Sequence, residues 1–245
     1  MTEQLIVLLF IAVIAFFYSA VGHGGASGYL AVLSIAGMEL AQIKTSALLL
    51  NVLVAGVSFF QFYRAGHFNF KLFYPFAIAA IPMAYAGSLI QLNPEVYKQV
   101  LGFCLLAAVL RMLGVFNRNE ADETKSVNLY YALLIGAVLG FVSGVIGIGG
   151  GIFLSPIILL LRWGNLKQTA AVSSLFIVTN SLAGILGMMN QKIEINPSVY
   201  LWLIVAVLAG FVGAAWGSKI VSSKLLKNVL AIVLFVAAIK LIFIA

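Results

Sequence analysis

Two glycine clusters interrupt apolar runs of this chain, and a helix cannot easily pass through either. The first reads Gly22-His23-Gly24-Gly25-Ala26 and the second Gly147-Ile148-Gly149-Gly150-Gly151. Each follows an apolar run long enough to enter a bilayer and precedes a shorter one. Glycine weakens a helix by about 1 kcal/mol relative to alanine, so three or four within five residues predict a break. At membrane depth a break frees backbone N–H and C=O groups that lipid cannot satisfy. It is tolerated only where it is buried in protein or lines a cavity. Two breaks at corresponding places in two halves of a chain point to a transporter's binding site.

That the breaks lie at membrane depth follows from composition. Hydrophobic residues make up 63% of the 245 and charged residues 9%, and mean hydropathy is +1.14. Soluble domains carry about a quarter charged residues. The expected fold is therefore all-α, a polytopic helical membrane protein. The net charge of +7 does not indicate nucleic acid, because the fourteen Lys and Arg fall mostly between apolar runs, where they anchor helix ends and set topology. One cysteine, Cys104, excludes an internal disulfide and a cysteine metal cluster. The start, Met1-Thr2-Glu3-Gln4, lacks a basic n-region, so the first run reads as a retained span.

A span needs about 20 mostly apolar residues. The chain divides into about eight transmembrane segments: Leu5–Val21 with its continuation Ala26–Ala36, Thr45–Phe62, Leu72–Leu92, Tyr97–Val115, Leu129–Ile146 with its continuation Ile152–Leu161, Thr169–Met189, Val199–Ile220 and Leu225–Phe243. They form two homologous repeats, residues 1–115 and 129–245, each opening on a glycine-broken helix. The polar stretch 116–128 links them. Thr45 through Gly56 lies over Ser173 through Gly184 without a gap, and Ala84–Ile90 resembles Ala214–Ile220. If each broken segment makes one crossing, the halves face the same way. If the short pieces are re-entrant, the repeats invert. With four crossings per half, Lys and Arg divide almost equally between the two sides, so loop charge does not choose.

The candidate site follows from the breaks. A helix N-terminus carries about half a positive charge and unpaired N–H donors, and glycine lets a ligand approach that backbone. This suits an oxyanion. The binding residues expected are Gly22, His23, Gly24, Gly25, Ala26, Gly147, Gly149, Gly150 and Gly151. Polar side chains of the spans that follow complete the set: Ser46 and Asn51 in one, Ser173, Ser174, Thr179 and Asn180 in the other. Polar groups are costly in lipid unless they face the bundle interior. His23 can donate to an anion or carry a proton, and its counterpart, Ile148, cannot. His67, in Arg64-Ala65-Gly66-His67, reads as interfacial. Lys44, Lys167 and Arg64 read as snorkelling anchors.

No Asp or Glu lies deep in any span, which argues against a carboxylate relay or cation site. There is no Gly-x-x-x-x-Gly-Lys loop, no Ser/His/Asp arrangement and no metal-spaced cluster. The expectation is a non-enzyme without cofactor or metal, whose partners are a small anion and the lipid bilayer, with a homo-oligomer left open. The expected function is a secondary carrier; an anion channel, and a membrane enzyme or passive subunit of a larger complex, are the alternatives.

The twin glycine clusters, the polar spans after them and the roughly 125-residue repeat resemble the sulfite exporter TauE/SafE family, also called the 4-toluene sulfonate uptake permease family. The most specific stretch runs from Gly144 to Pro156 and is followed by Ala170–Ser174. The first copy departs from it at His23, Ala26 and Tyr29-Leu30-Ala31. The resemblance implies a plasma-membrane transporter of sulfur-containing anions such as sulfite or sulfonates.

Overall fold

A computed structural model of the chain describes residues 2–90, 124–189 and 196–219, together with residues 92, 93, 95, 96, 99, 102, 103, 106 and 235. The expected spans at Tyr97–Val115 and Leu225–Phe243, Cys104 and most of the linker lie almost entirely outside these residues. Among the described residues the protein is all-helical. The helices are α1 (Thr2–Ala20), α2 (Ala26–Ile35), α3 (Leu40–Arg64), α4 (Phe70–Ser88), α5 (Leu129–Ile146), α6 (Gly151–Leu160), α7 (Leu166–Met188) and α8 (Ser198–Lys219). Of these, α3, α4, α5, α7 and α8 are long and apolar enough to cross a bilayer. Three begin at an asparagine whose side chain accepts from the third residue inside: Asn69 for α4, Asn128 for α5 and Asn165 for α7. Such caps satisfy amides the helix itself leaves open.

The short helices double back. The Tyr18 hydroxyl lies 2.9 Å from Ser27 Oγ, and Ile14 flanks Gly25 and Gly28, so α1 and α2 form an antiparallel hairpin. In the second hairpin Gly150 faces Ser143 and Leu139, so α5 and α6 do the same. Glycine is needed at both turns. Gly25 (φ 95°) and Gly150 (φ 74°) are left-handed N-caps, a conformation that side chains with a Cβ resist. The short pieces thus re-enter the protein and do not complete a crossing.

The other contacts give each helix its direction. Leu48 meets Gly184, Asn51 meets Ser181 and Ser58 meets Ser174, so α3 and α7 are antiparallel. Phe76, Ala80 and Ala84 meet Gly136, Gly140 and Gly144, so α4 and α5 run parallel. Phe16 and Ala20 meet Gly213 and Gly217, so α1 and α8 run parallel. Leu72 lies by Gly164 and Ser88 by Gly187, so α4 and α7 run parallel. Since α2 starts at Asn51 and joins the start of α3 through residues 36–39, it descends along α3 while α1 ascends.

The glycines of α5 sit four apart against backbone carbonyls of α4, and Gly213 and Gly217 of α8 do the same against α1. Small residues at such spacing let helix backbones approach closely where lipid offers no hydrophobic drive. The main core lies under the first hairpin, built from Ile11, Ile14, Tyr18, Tyr29, Leu30, Leu50 and Val54, and includes Ile146, Ile148 and Ile152 from the second.

Candidate functional site

The two hairpins reach past each other from opposite ends of the bundle, and their tips meet at the middle of α3 and α7. Asn51 stands where they meet, fully buried. Its Oδ1 accepts from the Ala26 amide at 3.2 Å, the first residue of α2. Its Nδ2 donates to the Ile148 carbonyl at 3.1 Å and to Ser181 Oγ at 3.0 Å. A Cβ on Gly24 would strike Asn51 Oδ1, and one on Gly149 would strike Asn51 Nδ2. The carboxamide is therefore clamped between the corresponding glycines of the two clusters. Its oxygen sits at the positive end of α2, the position a helix N-terminus offers to an anion.

A small cavity, with room for about one water molecule, opens beside this contact. One wall carries Tyr18, His23, Ser27 and Asn51, with the backbone of residues 24–26. The other carries Ile148, Ile152 and Ile177. The polar wall belongs almost wholly to the first hairpin. Tyr18, His23 and Ser27 correspond, 125 residues on, to Ser143, Ile148 and Ile152, so the second hairpin faces the cavity with apolar side chains.

A hydroxyl chain ties the hairpins to α7. Ser155 Oγ on α6 lies 3.1 Å from His23 Nε2 and donates to Ser173 Oγ at 2.7 Å. His23 Nδ1 is 3.0 Å from the Val21 carbonyl. A carbonyl only accepts, so Nδ1 carries a proton and Nε2 is the nitrogen whose protonation can change. Ser174 Oγ donates to the Gly22 carbonyl at 2.9 Å, and the backbone of Ala170 leaves no room for a Cβ on Gly22. Gly151 is packed against Ile177 and the Ser173 carbonyl. Gly147 lies against Lys44, which is buried and whose Nζ donates to the Val145 carbonyl at 2.9 Å. Lys44 is thus bound at the negative end of α5 and does not snorkel.

Not every residue expected at the site meets the tips. Thr179 Oγ1 bonds to Leu175 and Phe176 carbonyls of its own helix, and Asn180 Nδ2 bonds to the Phe176 carbonyl at 2.8 Å. Hydroxyls in a helix commonly turn back on the preceding turn in this way. Ser46 is buried on α3 outside the cavity wall. Conversely, Ser181, Ser155, Tyr18 and Ser27 form the polar contacts without having been singled out by sequence reasoning. A helical reading of α7 that included Ser181, seven residues after Ser174 and so on the same face, offered the one available signal.

At the end of the bundle where α3 finishes, His67 lies in the loop to α4. Partial burial, and then the Lys167 ammonium nearby, hold its pKa below the usual histidine value. Both effects disfavour the imidazolium. Lys167→Gln is expected to raise the His67 pKa, read by the NMR chemical shift of its ring protons against pH.

The family profile described as Sulfite exporter TauE/SafE matches residues 7–241. The probable membrane transporter protein y4hK of Sinorhizobium fredii is 36% identical over 244 residues, covering 98% of this chain and 99% of that protein. The probable membrane transporter protein YfcA of Escherichia coli K12 is 27% identical over 252 residues, covering 97% and 89%. The probable membrane transporter protein MJ0441 of Methanocaldococcus jannaschii is 24% identical over 141 residues, covering 56% and 52%. No solved structure matches the chain with significance. A helical membrane protein with paired glycine breaks, matched to this family over nearly its full length, belongs to the sulfite exporter TauE/SafE family.

Proposed function

We propose that the protein is a secondary carrier of small anions in the plasma membrane, with sulfur-containing oxyanions such as sulfite or organosulfonates as cargo. The observation that carries this reading is the meeting of two re-entrant hairpins at Asn51, beside a cavity at the amino end of α2. The anion replaces the Asn51 oxygen at the amides of residues 24–28, and the hydroxyls of Tyr18 and Ser27 on the same wall complete its shell. The sulfur in the cargo comes from the family's description alone, whereas the geometry speaks for an anion.

The two halves are read as inverted repeats. The contact of α4 with α5 has its counterpart in α8 with α1, and that of α4 with α7 in α8 with α3. Ile14 against Gly25 corresponds to Leu139 against Gly150, each 125 residues on. The corresponding helices α3 and α7 run in opposite directions. Inverted repeats with broken helices at the bilayer midplane are the usual frame for alternating access. Rocking of one half against the other then exposes the Asn51 region to each side in turn.

Flux of labelled sulfite into proteoliposomes of the purified chain tests the proposal. Saturable flux is expected, and it should be lost when Gly24 and Gly150 are both replaced by valine in protein that still elutes as a single folded species. Flux unchanged by that replacement removes the site; unitary currents in a planar bilayer would make the protein a channel. His23 supplies the pH prediction. Because His23 Nε2 bridges to the Ser155–Ser173 chain, its protonation alters the donors offered to the cargo. His23→Gln is expected to flatten the pH dependence of flux while leaving flux at the most permissive pH within a few-fold of wild type.

A further inference from the structure

The hairpins change how the charges sort. Because α2 and α6 fold back, the end of α3, the starts of α4, α5 and α7 and the ends of α6 and α8 all lie at one face of the bundle. Arg64, Lys71, Lys125, Arg162, Lys167 and Lys219 belong to those ends. The loops there interlock, with the Lys125 amide donating to the Arg162 carbonyl. No carboxylate of a described residue lies at that face. At the opposite face the described charges are Glu39, Glu95 and Lys44, and Lys44 is buried against the Val145 carbonyl.

For Lys71 and Lys167 this placement runs against helix electrostatics. Three helices begin at the basic face, and a helix N-terminus favours acids and disfavours cations. None of the three has an acidic residue in its first turn, and Lys71 and Lys167 each sit second in a helix. Arg64 and Lys219, in the last turns of α3 and α8, are favoured by the dipole, but helix stability does not account for Lys71 and Lys167. A field outside the protein does. Lys and Arg in short loops near span ends are retained on the cytoplasmic side, where anionic headgroups attract them.

We infer that the basic face, formed by the α3–α4 and α6–α7 loops and the lead-in to α5, is cytoplasmic, seated among anionic headgroups, and that the Glu39 face is external. The first hairpin then enters from outside and the second from the cytoplasm. This inference rests on helix directions and charge placement and not on the identity of the cargo.

Single cysteines in a Cys104→Ser background test it in intact cells with a membrane-impermeant maleimide. Glu39→Cys is expected to label without permeabilisation, and Thr124→Cys only after it. A second pair, Ala36→Cys outside and Lys71→Cys inside, guards against a variant that does not reach the membrane. The reverse pattern overturns the orientation. Labelling of both members of a pair from one side overturns the helix directions beneath it. Replacing Lys125 and Lys167 by glutamine together with Glu39→Lys, read at Thr124→Cys, should make a fraction of the protein label from outside; an unchanged pattern overturns the role given to these charges. None of these readouts depends on flux, so failure of the carrier proposal and failure of this one are distinguishable.

Discussion

Asn51→Ala is expected to abolish anion flux and to lower the unfolding free energy by about 3 kcal/mol. The substitution removes three hydrogen bonds at once, to Ala26 N, Ile148 O and Ser181 Oγ. Each contributes about 1 kcal/mol net, and a buried partner left unpaired adds its own desolvation penalty. Asn51→Asp separates the acceptor role from the donor role. It keeps an oxygen for the Ala26 amide but has no proton for Ile148 O or Ser181 Oγ, and a carboxylate there faces a carbonyl. Flux should be lost in both variants. Chemical unfolding in detergent and sulfite uptake into proteoliposomes read the two effects separately. An alanine variant with wild-type flux and stability would mean that the tips do not communicate through this side chain. The cargo is also expected to stabilise the native protein, by about 2.7 kcal/mol at 100 times its Kd, and Asn51→Ala should erase that shift.

Gly140→Val is the second large effect expected, and it acts on folding. A Cβ at Gly140 meets the Ala80 carbonyl oxygen, with the Ala80 Cα at 2.6 Å and its carbonyl carbon at 2.8 Å. All three are backbone atoms, so no side-chain rotation relieves the clash. The helices α4 and α5 must separate, which loosens the neighbouring contacts at Gly136 and Gly144 as well. Overpacking of this kind costs about 3 kcal/mol. The variant should fail to accumulate in membranes or should melt well below wild type by thermal shift. Gly56→Ala is the control. A Cβ at Gly56 has nothing within 4 Å, so that variant should be neutral or gain up to about 1 kcal/mol in helix propensity. Equal melting temperatures for the Gly140 and Gly56 variants would contradict the close α4–α5 approach.

Much of this protein was legible before any coordinates. Apolar runs predict helices because only helices satisfy their own backbone in lipid, and the run at Leu129–Ile146 agrees with α5 at both ends. The breaks were legible because clustered glycines cannot sustain a helix, and both appear as left-handed turns at Gly25 and Gly150. The bias toward an anion site came from the same residues. Asn51 was selected because a carboxamide in an apolar helix needs a partner, and it has three.

Other features were decided by the tertiary structure. Whether a short helix after a break continues or doubles back depends on which surfaces pack, and periodicity along one segment carries no record of that. The contacts of Tyr18 with Ser27 and of Gly150 with Ser143 close the hairpins, and this brings the described cations other than Lys44 to one face. The split between Thr179, bonded to its own helix, and Ser181, bonded to Asn51, follows from the rotation of α7 about its axis. Rotation is set by neighbouring helices, since a helix polar on more than one side has no preferred face of its own. The sequence by itself therefore determined where helices form and break, through local backbone chemistry. The structure decided which way they point and which side chains meet, because those depend on contacts between separate helices, from Tyr18 with Ser27 inside a hairpin to Asn51 with Ser181 across the two halves.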